Sequence, residues 1–247
     1  SDRHFGIGGD GIILVCPSKV ADAKMKMYNL DGSEGKMCGN GIRCVGKFLY
    51  DHGMVDINEK DEITIETLSG IKKLKAYTSG GKVNRLRVDM GKAILEPKEI
   101  PVVLDGDKVV DRPVEIAGKN YNITCVSMGN PHCVVFMDDI DNLDIETVGP
   151  EFENDKLFPE RVNTEFVTVL DDHTIKMRVW ERGSGETWAC GTGACAVAVA
   201  ACENGFCKKG EDIKIKLKGG DLIINYTDET VYMTGNAEKV FEGEVEV

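Results

Sequence analysis

The chain has 247 residues, enough for one large domain or two small ones. Its apolar fraction of 42% can build a hydrophobic core, and its charged fraction of 29% contains no long block, which excludes an intrinsically disordered chain. The net charge of −12 argues against a surface for nucleic acid, and no apolar run reaches the ~18 residues that a membrane-spanning helix needs.

The cysteine pattern indicates free thiols. Nine cysteines are an odd number, none of them form a Cys-x-x-Cys pair, and there are only four histidines. A disulfide framework and a zinc ribbon are therefore disfavoured. The first residues contain no apolar targeting core. The favoured interpretation is a cytoplasmic protein with reduced thiols.

Strand patterns dominate the chain, with two helical exceptions. Apolar runs or alternation predict strands at 24–30, 63–67, 85–88, 133–136, 166–169, 175–180 and 213–217. Helices of about three turns are predicted at 40–51 and 193–204. The second helix is small and apolar on every side, so it must be buried all round. A helix enclosed by a sheet satisfies that requirement.

Both predicted helices belong to an internal repeat. Residues 31–41 and 182–193 each carry Gly-Ser, a Glu four residues before a Cys, and then a Gly-x-Gly that opens the helix. A duplicated half-domain explains the repeat and predicts two similar lobes. The expected first lobe comprises 1–91 plus 237–247, and the expected second lobe comprises 92–236.

The cysteine of each repeat stands where a helix begins. Unpaired N–H groups and the positive end of the helix dipole should lower a thiol pKa from about 8.5 towards neutrality and bind a carboxylate. If the lobes face each other, Cys38 and Cys190 would flank one carbon atom of a bound substrate. One thiolate would remove its α-proton and the other thiol would supply a proton to the opposite face, without metal or cofactor.

Five motifs, in order, carry a family resemblance. They are Asp2-Arg3-His4-Phe5-Gly6-Ile7-Gly8-Gly9-Asp10-Gly11, residues 28–34 with Met37-Cys38-Gly39-Asn40-Gly41-Ile42-Arg43-Cys44, Met128-Gly129-Asn130-Pro131-His132, Arg161-Val162-Asn163-Thr164-Glu165-Phe166, and residues 180–183 with Cys190-Gly191-Thr192-Gly193. Together they resemble the diaminopimelate epimerases, which interconvert LL- and meso-diaminopimelate. Related racemases for proline-type substrates usually carry His where this chain has Asn40.

The resemblance implies an α+β fold of two pseudo-symmetric lobes, each a barrel-like mixed β-sheet around a central helix. It implies a cofactor-independent isomerase of lysine and peptidoglycan-precursor biosynthesis, forming a homodimer. Cys38 and Cys190 would be the bases, and His132 and Glu181 would move protons to or from them. The substrate-binding residues would be Asn29, Gly39, Asn40, Asn130, Asn163, Arg182, Gly191 and Thr192. Of these, Gly39, Asn40, Gly191 and Thr192 would bind the reacting carboxylate, and the others, with Glu181, the distal end of the substrate.

The residues leave three alternatives open. The chain could be a racemase of this fold for another amino acid, or a thiol redox or metal-binding protein with a Cys38–Cys190 bridge or bound zinc. It could also be a binding protein without catalysis. That third alternative arises because the family's N-terminal strand and Gly-x-Gly-Asn-Asp-Phe-type motif are expected some tens of residues before the segment equivalent to Asp2, and the sequence does not include them.

Overall fold

The computed structural model describes residues 2, 4, 6–9, 11–57 and 62–245. The chain divides into two compact units, Ser1–Asp89 with Thr234–Val247 and Met90–Met233. Three residues of the first family motif, Arg3, Phe5 and Asp10, lie outside the described residues. No helix in the described ranges is long and apolar enough to cross a bilayer.

Strands and three α-helices make up the regular structure of the described residues. The strands are β1 (Gly11–Cys16), β2 (Ala23–Asn29), β3 (Glu34–Gly35), β4 (Ile63–Thr67), β5 (Gly70–Ser79), β6 (Lys82–Gly91), β7 (Arg112–Ile116), β8 (Lys119–Ser127), β9 (Pro131–Phe136), β10 (Asn163–Asp171), β11 (Thr174–Glu181), β12 (Gly185–Thr187), β13 (Asp212–Leu217), β14 (Gly220–Tyr226) and β15 (Val231–Asn236). The helices are α1 (Gly39–Asp51), α2 (Ile145–Glu153) and α3 (Gly191–Glu203), and Pro97–Glu99 forms a short 3-10 helix.

In the first unit, α1 packs on a sheet with the strand order β1-β2-β4-β5-β6. Strands β2 and β4 are parallel, and the pairs β1–β2, β4–β5 and β5–β6 are antiparallel. Glycine brings the helix close to the sheet, because a Cβ atom at Gly46 would lie 2.6 Å from Leu86 Cδ2 and 2.8 Å from Leu74 Cδ2. Gly46 therefore allows α1 to lie this close to the sheet.

In the second unit, the sheet order is β14-β13-β11-β10-β9-β8-β7, with β12 paired to β11. The pairs β9–β10 and β11–β13 are parallel, which makes the sheet mixed. Helix α3 contacts β8, β9, β10, β13 and β14. A flat sheet would spread β8 and β14 over about 24 Å at the usual strand spacing, but a helix is only about 10 Å wide. The sheet must therefore curve around α3.

The small-residue composition of α3 explains how it fits inside that sheet. Its side chains from 194 to 201 are completely buried, and all are Ala, Val or Cys. The expectation of an enclosed helix is confirmed, and both predicted helices lie within two residues of α1 and α3. The predicted α+β class is confirmed as well, since a mixed sheet with few helices forms the described chain.

Helix α2 was not predicted, because Gly149 and Pro150 interrupt its pattern. Asp144 caps the helix by accepting a hydrogen bond from the Thr147 N–H, a signal that the sequence does contain. The helix packs on β10, β11 and β12, where Phe152 contributes to a core of buried apolar side chains.

Helix α2 needs glycine at position 149 because a Cβ atom there would overlap the ring of Trp180. We expect Gly149→Ala to lower the free energy of unfolding by about 1–3 kcal/mol, the usual cost of overpacking a core. Urea denaturation followed by circular dichroism measures this loss. Glu146→Gln, on the exposed side of the same helix, is the control, and equal stability of both variants would contradict the predicted overlap.

Candidate active site

Each repeat cysteine is the N-cap of a helix. Cys38 precedes α1 and Cys190 precedes α3, both in extended backbone conformation. The Cys38 Sγ accepts a hydrogen bond from the Gly41 N–H at 3.3 Å, and the Cys190 Sγ accepts one from the Gly193 N–H at 3.4 Å. The repeated motif thus places a cysteine sulfur atom at the same position relative to a helix start in each unit.

The first turn of each helix also offers free backbone donors. The N–H groups of Gly39 and Asn40, and those of Gly191 and Thr192, have no acceptor within their helices, because such an acceptor would lie before the helix begins. Helix N-termini of this kind bind carboxylates through N–H groups and the helix dipole. Each cysteine therefore lies beside an anion-binding helix start.

A buried arginine fixes the first turn of α1. The Arg43 guanidinium donates to the Asn40 Oδ1 and to the Gly39 carbonyl, both at 2.9 Å, and its Nε donates to the Asn236 carbonyl at 3.2 Å. Arg43 belongs to one of the five motifs, but the sequence alone assigned it no role. Its signal is a single cation on the apolar face of a helix, between Ile42 and Val45.

Asn29 shapes the turn between β2 and the first cysteine. It lies exposed at the end of β2, and its side-chain amide donates to the Ser33 Oγ at 3.0 Å. The Ser33 hydroxyl in turn donates to the Asp31 Oδ1. These bonds fix the turn, and the predicted contact of Asn29 with substrate stays a prediction.

Four predicted site residues of the second unit form one hydrogen-bonded chain. The Thr192 Oγ1 lies 3.6 Å from the Cys190 Sγ, and the Asn130 amide donates to that hydroxyl oxygen at 3.3 Å. The Asn130 Oδ1 in turn lies 3.1 Å from the His132 Nε2. The fold thus connects His132 to Cys190 through Asn130 and Thr192, which are 62 positions apart in the sequence.

A buried carboxylate to which the sequence assigned no role ends this chain. The Glu165 Oε1 lies 2.7 Å from the His132 Nδ1, and both side chains are fully buried. Parallel pairing of β9 and β10 brings the two residues together. The sequence signal was a charged residue directly before the apolar pair Phe166-Val167, where a strand is predicted.

Three of the predicted distal-end residues, Asn163, Glu181 and Arg182, lie around the end of β11. The Asn163 amide donates to the Pro131 carbonyl at 2.8 Å, and its oxygen accepts from the Arg182 N–H at 3.0 Å. The Arg182 Nη1 donates to the Glu160 carbonyl at 2.8 Å. Glu181 accepts a short hydrogen bond from the Thr187 hydroxyl. Asn163 therefore fixes the backbone from which the Arg182 side chain extends.

The thiol of Cys190 has a pKa well above its usual range. Burial is the main cause, and the negative charges of Glu181 and Glu165 add to it, while the Thr192 hydroxyl and the Gly193 N–H act in the opposite direction. A helix end stabilises a charge by about 0.3–1 kcal/mol, which changes a pKa by less than one, whereas burial can change a pKa by about 3–5. The expectation of a lowered pKa is wrong for Cys190.

The described residues include no group of three or more His, Cys, Asp or Glu side chains placed to bind a metal ion. None of the nine cysteines, all of which lie in the described ranges, forms a disulfide. The Cys38–Cys190 bridge expected of a redox protein is therefore absent from the described residues.

Comparison with known proteins decides the family. The family model for diaminopimelate epimerase matches residues 1–96 and 124–240. The diaminopimelate epimerase of Acetivibrio thermocellus is 54% identical over 249 residues, which cover 100% of this chain and 87% of that protein. The diaminopimelate epimerase of Agathobacter rectalis is 53% identical over 256 residues, which cover 100% of this chain and 88% of that protein. The chain belongs to the diaminopimelate epimerase family. It is an isomerase, and the predicted resemblance is confirmed.

A solved structure supports the family fold. The Bacillus anthracis phenazine biosynthesis protein of the PhzF family superposes with a TM-score of 0.69 at 21% identity, covering 98% of this chain and 86% of that chain. This likeness concerns the fold alone.

The raised pKa of Cys190 predicts slow alkylation at neutral pH, because only the thiolate reacts quickly. Glu181→Gln removes a negative charge that disfavours the thiolate. The midpoint, which is the pH at which the alkylation rate of Cys190 reaches half its maximum, should therefore move to lower pH. A midpoint lower by one pH unit corresponds to roughly tenfold faster labelling at neutral pH. Iodoacetamide labelling with peptide mass spectrometry resolves Cys190 from the other cysteines.

Glu203→Gln is the matched control, since Glu203 is the last residue of α3 while Cys190 caps its start. A midpoint that stays unchanged in Glu181→Gln would contradict an electrostatic effect of Glu181 on the Cys190 thiol.

Proposed function

We propose that this isomerase interconverts LL- and meso-diaminopimelate with Cys38 and Cys190 as its two bases. The observation that carries the proposal is the equivalence of the two sulfur atoms. Each caps a helix, accepts an N–H bond from the third residue beyond it, and adjoins two free first-turn N–H groups. A reaction that must treat both faces of one carbon alike requires such a pair.

The chemistry needs one thiolate and one thiol at the start of each turnover. The thiolate takes the α-proton and becomes a thiol, which leaves a carbanion delocalised into the carboxylate. The opposite thiol gives its proton to the other face and becomes a thiolate. The raised pKa of Cys190 favours its thiol form, so Cys190 donates the proton in one direction of the reaction, and in the reverse direction its thiolate removes the proton. His132 and Glu181 move protons to or from the cysteines between turnovers.

The reacting carboxylate binds to the helix starts. The first-turn N–H groups of Gly39 and Asn40, and those of Gly191 and Thr192, are the donors that we assign to the negative charge that grows as the α-proton leaves. Arg43 holds Asn40 in place on α1, and Asn130 holds the Thr192 hydroxyl on α3. Because these donors are fixed before the reaction, they stabilise the carbanion without rearrangement.

The distal amino-acid end of the substrate binds to Asn29, Asn130, Asn163, Glu181 and Arg182. The Arg182 guanidinium has a planar, two-pronged donor geometry that matches a carboxylate, and Glu181 matches an ammonium group. Asn163 supports this assignment because it fixes the backbone N–H of Arg182. This end distinguishes diaminopimelate from amino acids with shorter or uncharged side chains.

We also infer that the chain works in the cytoplasm and does not bind nucleic acid, and the family resemblance implies a homodimer. Nine cysteines without a disulfide suit a reducing compartment, and a net charge of −12 opposes association with phosphate backbones.

In heavy water, LL-diaminopimelate should give meso product with deuterium at the inverted carbon. Cys38→Ala and Cys190→Ala should each lower turnover by about 100-fold to 10,000-fold, the contribution of a general acid or base. Mass spectrometry and NMR of the product measure both effects. Cys44→Ala and Cys202→Ala, on the same two helices, are matched controls that keep turnover. Full turnover without Cys38 or Cys190 would exclude the two-base reaction.

Arg182→Lys should raise KM about tenfold and change kcat less, because lysine keeps the charge but loses the paired donors to the distal carboxylate. Steady-state kinetics with diaminopimelate measure the two constants. Lys176→Arg, a change between the same two residue types at an exposed ion pair with Asp141, is the control. An unchanged KM would show that Arg182 does not bind the distal carboxylate.

A further inference from the structure

Glu153, the last residue of α2, is a buried carboxylate that accepts three hydrogen bonds. Its Oε2 accepts from the Trp180 Nε1–H at 2.7 Å, and its Oε1 accepts from the Gly183 N–H at 2.9 Å. The Arg161 Nη1 donates to the same Oε1 at 3.0 Å and pairs with its charge. Two of the three donors therefore flank the site residues 181–182 in the sequence.

Arg182 lies in the tight turn between β11 and β12. The Ser184 N–H donates to the Glu181 carbonyl at 3.0 Å, Arg182 keeps a negative φ, and Gly183 has a φ of 79°. A turn whose third residue alone has a positive φ is of type II, and it differs from type I in the orientation of its central peptide group. The Gly183 N–H belongs to that peptide group. By accepting it, Glu153 holds the turn in the type II form.

Both peptide groups next to the Arg182 Cα atom are thus fixed by side chains. The Asn163 Oδ1 accepts the N–H of Arg182 itself at 3.0 Å, and Glu153 accepts the N–H that follows it. Together they set the direction in which the Arg182 side chain leaves the backbone.

The same carboxylate also acts on the guanidinium end of Arg182. The Arg182 Nη1 donates to the carbonyl of Glu160, whose peptide group continues into Arg161. The Arg161 N–H donates to the Phe158 carbonyl at 2.8 Å, and Arg161 has a φ of 59°. This left-handed conformation is unfavourable for a residue with a side chain and persists only where its surroundings hold it. The ion pair with Glu153 is one such contact.

We propose that Glu153 is a positioning residue for substrate specificity, which places the Arg182 guanidinium to receive the distal carboxylate of the substrate. The inference rests on the proposed function, since that function assigns the distal carboxylate to Arg182. Glu153 acts on the substrate only through Arg182. Its own negative charge is paired with Arg161, so it does not add an unpaired charge of the same sign as the substrate carboxylate.

Glu153→Met keeps the approximate length of the side chain but accepts no hydrogen bond. We expect it to raise KM for diaminopimelate about tenfold with kcat within about threefold, because it weakens binding of the end of the substrate that does not react. Steady-state kinetics measure both constants. Glu146→Met, the same change on the exposed side of α2, is the matched control and should keep both constants.

Lysine separates positioning from general damage to the site, because it is diaminopimelate without the distal carboxylate. Its weak binding, measured by ligand-observed NMR titration, should be the same in Glu153→Met as in the wild-type protein. Equal losses for lysine and diaminopimelate, or an unchanged KM for diaminopimelate, would overturn the proposal.

A double-mutant cycle tests whether Glu153 acts through Arg182. In an Arg182→Ala background, Glu153→Met should change kcat/KM less than about twofold, since no guanidinium is left to position. Deuterium incorporation during long incubations measures kcat/KM of slow variants. The same factor in both backgrounds would show two independent effects and contradict the inference.

Nitrogen-15 NMR of the Arg182 guanidinium tests the inference without activity, with Arg182→Lys identifying the signal. We expect slow rotation about the Nε–Cζ bond in the wild-type protein. Rotation should be faster in Glu153→Gln, a milder variant that keeps the shape of the side chain but loses the charge that pairs with Arg161. Free rotation in the wild-type protein, or equal rotation in both, would refute the proposal.

Failure of the epimerase function would appear differently. It would show as absent α-hydrogen exchange in the wild-type protein, with the Arg182 guanidinium still held.

Discussion

The hydrogen bond from a helix N–H to a cysteine sulfur is the contact on which the rest of the site depends. It occurs at Cys38 and at Cys190, and in each unit it fixes a reactive atom at the positive end of a helix. The same helix start holds free N–H groups beside the sulfur, so the proposed base and the proposed carboxylate site come from one element. Packing of the helix on its sheet keeps both rigid.

Rigidity and burial have an electrostatic consequence at Cys190. A buried thiol flanked by Glu165 and Glu181 stays protonated, although a helix N-terminus favours the thiolate. The cysteine that donates a proton to the carbanion must begin as a thiol, whereas the cysteine that removes the α-proton must begin as a thiolate. The Thr192 hydroxyl, 3.6 Å from the sulfur, partly opposes the effect of burial because it can donate a hydrogen bond when Cys190 ionises.

Much of the fold and part of the site could be predicted from local patterns. The two helices, the enclosed position of α3 and the cysteines at helix starts follow from composition and from the repeat. Helix α2 could not be predicted in this way, because Gly149 and Pro150 oppose a helix locally and its packing on the sheet outweighs them. Arg43 and Glu165 carried only a weak signal, a charge on the apolar face of a helix and a charge at the start of an apolar strand run.

The sequence by itself determined the family, the fold class and the two cysteines that we propose as bases, since motifs of contiguous residues carry this information. Only the tertiary structure decided the charge state of Cys190 and the partner of His132. Both depend on residues far apart along the chain, which the parallel pairing of β9 with β10 and the curvature of the sheet around α3 bring together. A pKa follows from the surroundings of a group in space, and no local pattern encodes those surroundings.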